Sequence, residues 1–159
     1  MFGLFKKSFT LVAPVDGKII DLSEVQDPVF AQKMAGDGVA IETTGDTIVS
    51  PATGKLSFIF KTNHAFGLNL ENGAEVLVHI GLDTVALEGE GFERLASEGA
   101  IVKAGEPIIK INRALITDKG YSLITPVLIT NFDSVSEIKG NTGDIVKAGE
   151  SEILAYKMK

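Results

Sequence analysis

Short apolar runs alternate with glycine-bearing turns along the whole chain. The runs are rich in Val, Ile, Leu and Phe, and the turns carry signals such as VDG, ATG, ENG and DKG. Strands of about five residues, with turns every 8–12 residues or so, are typical of an all-β sandwich or barrel. The predicted strands lie at 18–22, 38–42, 55–60, 75–81, 107–112, 126–131 and 151–157.

Helix is predicted in two short segments. Residues 27–35 begin with Asp27 as a potential N-cap and Pro28 at the first helical position. Residues 90–99 form the second candidate, and Gly99 would close it. Neither segment is long enough to organise the fold.

Two pairs of segments indicate an internal duplication. LVAPVDGKI at 11–19 resembles IVSPATGKL at 48–56, and GAIVKAGEPII at 99–109 resembles GDIVKAGESEI at 143–153. Because the two kinds of segment occur in the same order twice, the sequence predicts a repeated β unit in which GK begins a strand after a tight turn. The VKAGE segment is then a hairpin corner whose glycine takes a positive φ.

Composition narrows the classes of protein. The 159 residues fit one domain, and the absence of cysteine excludes disulfides, thiolate metal sites and a cysteine nucleophile. It also fits a reducing cytosol. The net charge of −6 argues against nucleic-acid binding and favours a basic partner.

No apolar run approaches the roughly 20 residues that span a bilayer. The start, MFGLFKKSF, is interpreted as a tail, with a weak membrane-surface anchor as the alternative.

The chain has two histidines, both beside apolar strands. Across 75–80, the strand period places His79 and Leu77 on the face opposite the valines. His64 lies in KTNHAFG, directly after the strand 55–60. If the two strands pair, both imidazoles meet in a shallow surface with aromatic walls.

Three chemistries could use two imidazoles. A catalytic zinc site needs about three protein ligands, and neither H-x-H nor H-E-x-x-H occurs. Serine hydrolysis lacks the G-x-S-x-G motif. In the third, histidine is itself the nucleophile, since roughly three-quarters of an unperturbed imidazole is neutral at pH 7 and neutral imidazole can attack a phosphoryl group.

Several stretches also resemble a known family. APVDGKIIDLSEV, DPVFAQKMAGDGVAI, KTNHAFGL, EVLVHIGLDTVALEGEGFE and TPVLITN occur in the order found in the glucose-type enzyme IIA of the bacterial phosphoenolpyruvate:sugar phosphotransferase system. The resemblance implies a compact antiparallel β-sandwich, the duplicated hybrid motif, with one to three short helices. It implies an N-terminal tail at 1–10 and a single domain at 11–159.

The resemblance also implies a phosphotransferase mechanism. His79 matches the phosphorylated histidine, whose Nε2 accepts a phosphoryl group from the carrier HPr and passes it to a cysteine of a sugar-specific IIB domain. His64 matches the histidine that stabilises the phosphoryl group, and Thr62 matches the threonine that orients His64. The carbonyl of Gly81 would hold the Nδ1–H of His79.

A docking patch follows from the same resemblance. Asp27 and Asp83 match acidic positions at its rim, suited to a basic HPr surface. Ala86 stands where family members often carry a charge. The apolar positions that match the patch are Val29, Phe30, Met34, Phe60, Leu77 and Val85.

Other expectations concern cofactors, partners and location. No cofactor or metal is required, although zinc at His64 and His79 stays open. We expect a cytoplasmic, free-standing monomer without stable membrane insertion. The sugar is not specified: glucose, N-acetylglucosamine, sucrose and β-glucosides use similar modules.

The alternatives to a phosphotransferase component are a zinc peptidase, a mainly regulatory binding protein, or a lipoyl-type carrier suggested by the repeated IVKAGE turns.

Overall fold

The computed structural model describes residues 7–159, which form strands joined by turns and two short helices, α1 (Pro28–Ala31) and α2 (Arg113–Asp118). Single 3₁₀ turns occur at Leu22–Glu24, Thr84–Leu87 and Phe132–Ser134. The strands are β1 (Ser8–Val12), β2 (Gly17–Asp21), β3 (Asp37–Thr43), β4 (Thr47–Val49), β5 (Gly54–Ile59), β6 (Ala65–Asn69), β7 (Glu75–His79), β8 (Phe92–Arg94), β9 (Ile101–Val102), β10 (Pro107–Ile111), β11 (Ile124–Ile129), β12 (Val135–Gly140), β13 (Ile145–Val146) and β14 (Glu152–Met158).

The strands form three antiparallel sheets. The largest has the order β13-β2-β3-β11-β7-β6-β5-β9, and the two three-stranded sheets have the orders β1-β14-β12 and β4-β10-β8. One apolar core contains residues from all three sheets, including Val78, Ile109 and Leu154. The predicted antiparallel all-β fold is therefore confirmed.

The large sheet is covered on both faces near its centre. In β11, Val127 and Ile129 join the main core, whereas Leu128 between them joins a second, smaller cluster. Successive strand residues point to opposite faces, so the second cluster covers the outer face of the sheet. Phe30 of α1 belongs to this cluster, which places α1 against the outer face beside β7.

The duplication predicted from the sequence is visible in the strand pairing. The start of β2 pairs with β13, and the start of β5 pairs with β9, with the glycine and lysine of each GK in the same relation to its partner strand. The segments that precede each GK also exchange reciprocal hydrogen bonds. Val12 N–H donates to the carbonyl of Pro51 over 2.9 Å, and Val49 N–H donates to that of Pro14 over 2.6 Å.

The two VKAGE corners meet back to back. Gly105 and Gly149 have φ of 89° and 75°, as the hairpin interpretation requires. A Cβ on Gly149 would lie 3.0 Å from the Cα of Gly105, so the close approach of the two corners also requires glycine. The repeated sequence therefore builds two equivalent corners packed against each other.

The helix predictions need correction. Residues 90–99 are not helical, because Phe92–Arg94 form β8 and pair with β10. The helix predicted at 27–35 is confirmed only for Pro28–Ala31, with Val29 N–H donating to Asp27 Oδ1 over 3.0 Å. It stops because Lys33 adopts a left-handed backbone with φ of 57°.

The sequence does not predict the second helix, α2. The predicted strand 107–112 includes Asn112, but the side chain of Asn112 caps α2 by accepting the Leu115 N–H over 3.2 Å.

The predicted tail at 1–10 is also too long. Ser8 begins β1, which pairs with β14, so residues 8–10 belong to a sheet. Residues 1–6 lie outside the described residues. Among residues 7–159, no helix has the length and apolar character needed to cross a membrane.

Candidate active site

His79 is the last residue of β7 and points away from the core. Val76 and Val78 of the same strand are buried, whereas Leu77 and His79 are half-buried on the opposite face, as the strand period predicted. The Nδ1 of His79 lies 2.8 Å from the carbonyl oxygen of Gly81. Because a carbonyl only accepts, Nδ1 carries the proton and Nε2 of the neutral ring has a free lone pair.

The turn after β7 requires glycine at position 81. Gly81 has φ of +77°, and a Cβ there would lie 2.6 Å from both the Ser122 carbonyl oxygen and Thr84 Cγ2. Neighbouring bonds hold this turn, since Leu82 N–H donates to Ser122 over 3.1 Å and the Thr84 hydroxyl donates to the carbonyl of Ile80 over 2.5 Å. The acceptor for His79 is therefore a fixed backbone group.

His64 reaches the same place from a turn. Residues 60–64 connect β5 to β6, and His64 directly precedes β6. Its carbonyl accepts the Ile80 N–H over 2.7 Å, and the next residue, Ala65, pairs with His79 in the ladder. The two imidazole centroids are 5.0 Å apart, with an interplanar angle of 83°. The structure thus brings together the two histidines, as expected from the sequence.

Thr62 lies beside His64. Its Oγ1 is 2.6 Å from the Nδ1 of His64, and either atom could be the donor. His64 is 2% exposed, whereas Thr62 is half-buried. This bond fixes the orientation of the His64 ring, and the geometry agrees with the relation expected between these two residues.

Both histidines favour the neutral form. Burial, followed by repulsion from a charged His79, lowers the pKa of His64 from 6.5 to about 4. Burial also lowers the pKa of His79, although the bond to Gly81 and the charges of Asp27 and Asp83 oppose the shift. Both imidazoles are therefore mostly neutral at pH 7, so His79 presents an unprotonated Nε2.

Apolar side chains lie beside both rings, with Phe30 against His79 and Phe60 against His64. Four of the six predicted patch residues are substantially exposed: Val29, Met34, Phe60 and Val85. Phe30 is 5% exposed and packs under His79, with ring centroids 5.0 Å apart. For Phe30 the structure thus shows a packing contact with the histidine.

The acidic rim residues differ in setting. Asp27 is half-buried and caps α1, whereas Asp83 is exposed with a left-handed backbone, φ 59°. Both are near enough to His79 to raise its pKa against the effect of burial. Negative charge therefore lies close to the His79 ring.

One ring beside the site, Phe58, was not predicted from the sequence. Its ring stacks on Phe60 with centroids 5.3 Å apart and planes at 28°, and the rings of Phe60 and His64 pack edge to face with centroids 5.2 Å apart. Phe58 lies flat across Gly67 of β6, where a Cβ would overlap the ring. The available signal was weak, because it required the register of β5 against β6. The aromatic wall of the site therefore extends one ring further than predicted.

The zinc-peptidase alternative requires about three protein ligands in one place. Within residues 7–159, no group of three or more His, Cys, Asp or Glu side chains is arranged to hold a metal ion. The zinc-peptidase alternative therefore lacks the ligand set that it needs there.

The fold and site define the class: a protein of duplicated antiparallel β units with two adjacent, mostly neutral imidazoles, of which His79 is half-buried and His64 is buried. Comparisons with known proteins identify the family. The model of the family described as "phosphoenolpyruvate-dependent sugar phosphotransferase system, EIIA 1" matches residues 9–135. Proteins named PTS system glucose-specific EIIA component are 46% identical in Bacillus cereus, over 100% of this chain and 98% of that protein, and 43% identical in Haemophilus influenzae, over 98% and 99%.

A solved structure agrees with this match. Glucose permease IIA from Mycoplasma capricolum superposes with a TM-score of 0.85 at 36% identity, covering 96% of this chain and 97% of that one. The chain therefore belongs to the EIIA 1 family of the phosphoenolpyruvate-dependent sugar phosphotransferase system, and it is a phosphotransfer component of that system.

Proposed function

We propose that this protein is a phosphocarrier in which Nε2 of His79 accepts a phosphoryl group from phospho-HPr and passes it to the cysteine of a sugar-specific IIB domain. One observation carries the proposal. The Nδ1–H of His79 is committed to the carbonyl of Gly81 at 2.8 Å, which leaves Nε2 as the free nucleophile on a half-buried surface ring.

Phosphoryl transfer to His79 needs no general base, because Nε2 attacks without losing a proton. The lone pair of Nε2 forms a bond to phosphorus as the bond between phosphorus and the donor imidazole breaks, and that electron pair returns to the donor ring. The Nδ1–H stays on His79 and its bond to Gly81 stabilises the positive charge that develops on the ring. In the outward step, a cysteine thiolate attacks phosphorus and His79 leaves as neutral imidazole. Positioning and electrostatics supply most of the catalysis.

His64 acts as the stabiliser of the phosphoryl group. If the Thr62 hydroxyl donates to Nδ1 of His64, Nε2 of His64 carries the proton and can donate to a phosphoryl oxygen. The lowered pKa keeps His64 neutral, so it provides a hydrogen bond and not a competing positive charge. A neutral donor suits a phosphoryl group that must leave again.

The exposed apolar patch suits transient docking of two partners in turn. Val29, Met34, Phe60 and Val85 supply a surface that excludes water around the phosphohistidine. The carboxylates of Asp27 and Asp83 favour a basic HPr face, and so does the net charge of −6 on the whole chain. The relatives named glucose-specific support glucose as the sugar served. We propose that phosphoryl transfer takes place in the cytoplasm and that the protein acts as a monomer without a cofactor or a required metal. A regulatory role is compatible with this function.

Incubation with phosphoenolpyruvate, enzyme I and HPr, followed by intact mass spectrometry, tests this function. The parent protein should gain a single acid-labile phosphoryl group, and His79→Gln should gain none. His64→Gln is the matched control: it should accept the group but transfer it poorly to a IIB domain. Labelling of the His79→Gln variant as well as the parent would overturn the assignment of roles.

A further inference from the structure

Arg94 reaches from β8 to the turn that carries Thr62 and His64. Its Nε donates to Asn63 Oδ1 over 2.9 Å, and its Nη2 lies 3.4 Å from the carbonyl oxygen of Phe60. The two acceptors lie at the start and near the end of the turn. One planar guanidinium therefore bridges the turn across its length.

The turn needs such a bridge because its own backbone is irregular. Asn63 has φ of 59°, a left-handed conformation that costs free energy for any residue except glycine, although asparagine tolerates it best. Inside the turn, Asn63 N–H donates to the carbonyl of Phe60 over 2.7 Å. Arg94 binds the same two residues from outside, so it reinforces the conformation from which His64 projects.

The segment around β8 also approaches the turn at two further points. The carboxylate of Glu98 accepts the N–H of Ile59, the last residue of β5, over 2.9 Å. Gly89 lies beside the backbone of Thr62, where a Cβ would be 3.7 Å from the Thr62 carbonyl oxygen. Arg94 bonds to Asn63, which directly precedes His64, and to Phe60, whose ring packs against that of His64, so its contacts are the ones that can act on the His64 ring.

We propose that Arg94 is a positioning residue: by bridging Phe60 and Asn63, it holds Thr62 and His64 in the orientation that aligns the His64 ring with His79. This inference rests on the proposed function for its effect on transfer. Its structural part, the orientation of His64, stands apart from any phosphoryl chemistry. Arg94 touches neither histidine, so it acts through the turn and not on the reacting atoms.

The chain supplies a matched control. Arg94 and Arg113 are its two arginines. Arg113 also bridges two acceptors, here the backbone carbonyls of Thr43 and Gly45, to which its Nη1 donates over 3.0 Å and 3.1 Å, and neither acceptor belongs to the turn that carries His64. Loss of either arginine therefore removes a guanidinium bridge between two oxygen acceptors, but only the Arg94 bridge lies on the turn that carries His64.

The first experiment follows the His64 imidazole by NMR without any phosphoryl donor. In Arg94→Ala, the ring nitrogen shifts should show a mixture of the two tautomers, and the His64 pKa should rise towards 6.5 as water enters. The polar groups that face His64 are His79 from β7 and Thr62 from its own turn, and neither is altered. Arg113→Ala should leave the His64 signals unchanged.

The second experiment measures transfer. Arg94→Ala should slow the outward step to a IIB domain by about tenfold or more at saturating partner, with KM nearly unchanged, because a small misplacement of a catalytic group is costly. Arg94→Lys keeps one donor and should recover part of the rate. Asn63→Gly keeps the left-handed backbone but removes the acceptor, so it should resemble Arg94→Ala.

The outcomes are separable. Unchanged His64 signals in Arg94→Ala, or equal changes in Arg113→Ala, would overturn the proposal even if phosphorylation proceeds as expected. Failure of the parent protein to accept a phosphoryl group would overturn the proposed function, while the NMR comparison would still decide the role of Arg94.

Discussion

The two histidines lie 5.0 Å apart but are held by different kinds of structure. His79 ends a regular strand, and the backbone carbonyl of Gly81 sets its tautomer. His64 projects from an irregular turn, and side chains set its orientation: Thr62 directly, Arg94 through the turn. The residue proposed to carry the phosphoryl group is thus fixed by backbone, whereas the residue proposed to stabilise it depends on contacts that single substitutions can remove.

Gly81→Ala breaks the backbone side of this comparison and should have the largest effect. The positive φ and the overlap with Ser122 and Thr84 should together cost about 4 kcal/mol of unfolding free energy. Displacement of the carbonyl should also remove the tautomer preference of His79. Urea unfolding and phosphoryl acceptance check both effects. A stable variant that still accepts a phosphoryl group at the parent rate would contradict the role given to Gly81.

Acid should weaken the fold through His64. Its pKa is about 4 in the folded protein, against 6.5 for a histidine in water, so the unfolded chain binds the proton more tightly. The contribution to stability is present above pH 6.5 and is lost as the pH falls to about 4, amounting to about 3 kcal/mol. Unfolding free energies of the parent and of His64→Gln across this range isolate the effect. An equal loss in both would argue against a buried, neutral His64.

Thr62→Val tests the side-chain hold on His64. The variant keeps the shape of threonine but removes the hydroxyl that binds Nδ1. We expect the outward step to slow by about tenfold, with acceptance by His79 little changed, since one hydrogen bond of about 1–1.5 kcal/mol is lost. Rapid-quench measurement of transfer checks this. Thr62→Ser should retain most of the rate, and a rate equal to that of Thr62→Val would point to packing instead.

Gly67→Ala should have the smallest effect. A Cβ there displaces the exposed Phe58 ring, which stacks on Phe60 beside His64. We expect KM for HPr to rise about threefold, with stability and the site of phosphorylation unchanged, because one edge of the proposed apolar docking surface is altered. A KM equal to that of the parent would limit the docking surface to the residues predicted from the sequence.

The same contrast explains what the sequence could predict. A period of two in 75–80 was enough to place His79 outward, and the repeated GK and VKAGE segments predicted the equivalent corners. The segment 90–99 contains good helix formers, yet pairing of Phe92–Arg94 with β10 overrides that preference. The bond from Arg94 to Asn63 joins residues 31 positions apart, which no local pattern reports.

The central claim is that Nε2 of His79 is the nucleophile, and the nitrogen spectrum of the phosphorylated protein tests it most directly. Long-range proton–nitrogen correlation on uniformly ¹⁵N-labelled protein should show Nδ1 of His79 protonated before transfer and phosphorus bonded to Nε2 afterwards, with His64 unmodified. Phosphorus on Nδ1 of His79, or on either nitrogen of His64, would contradict the account.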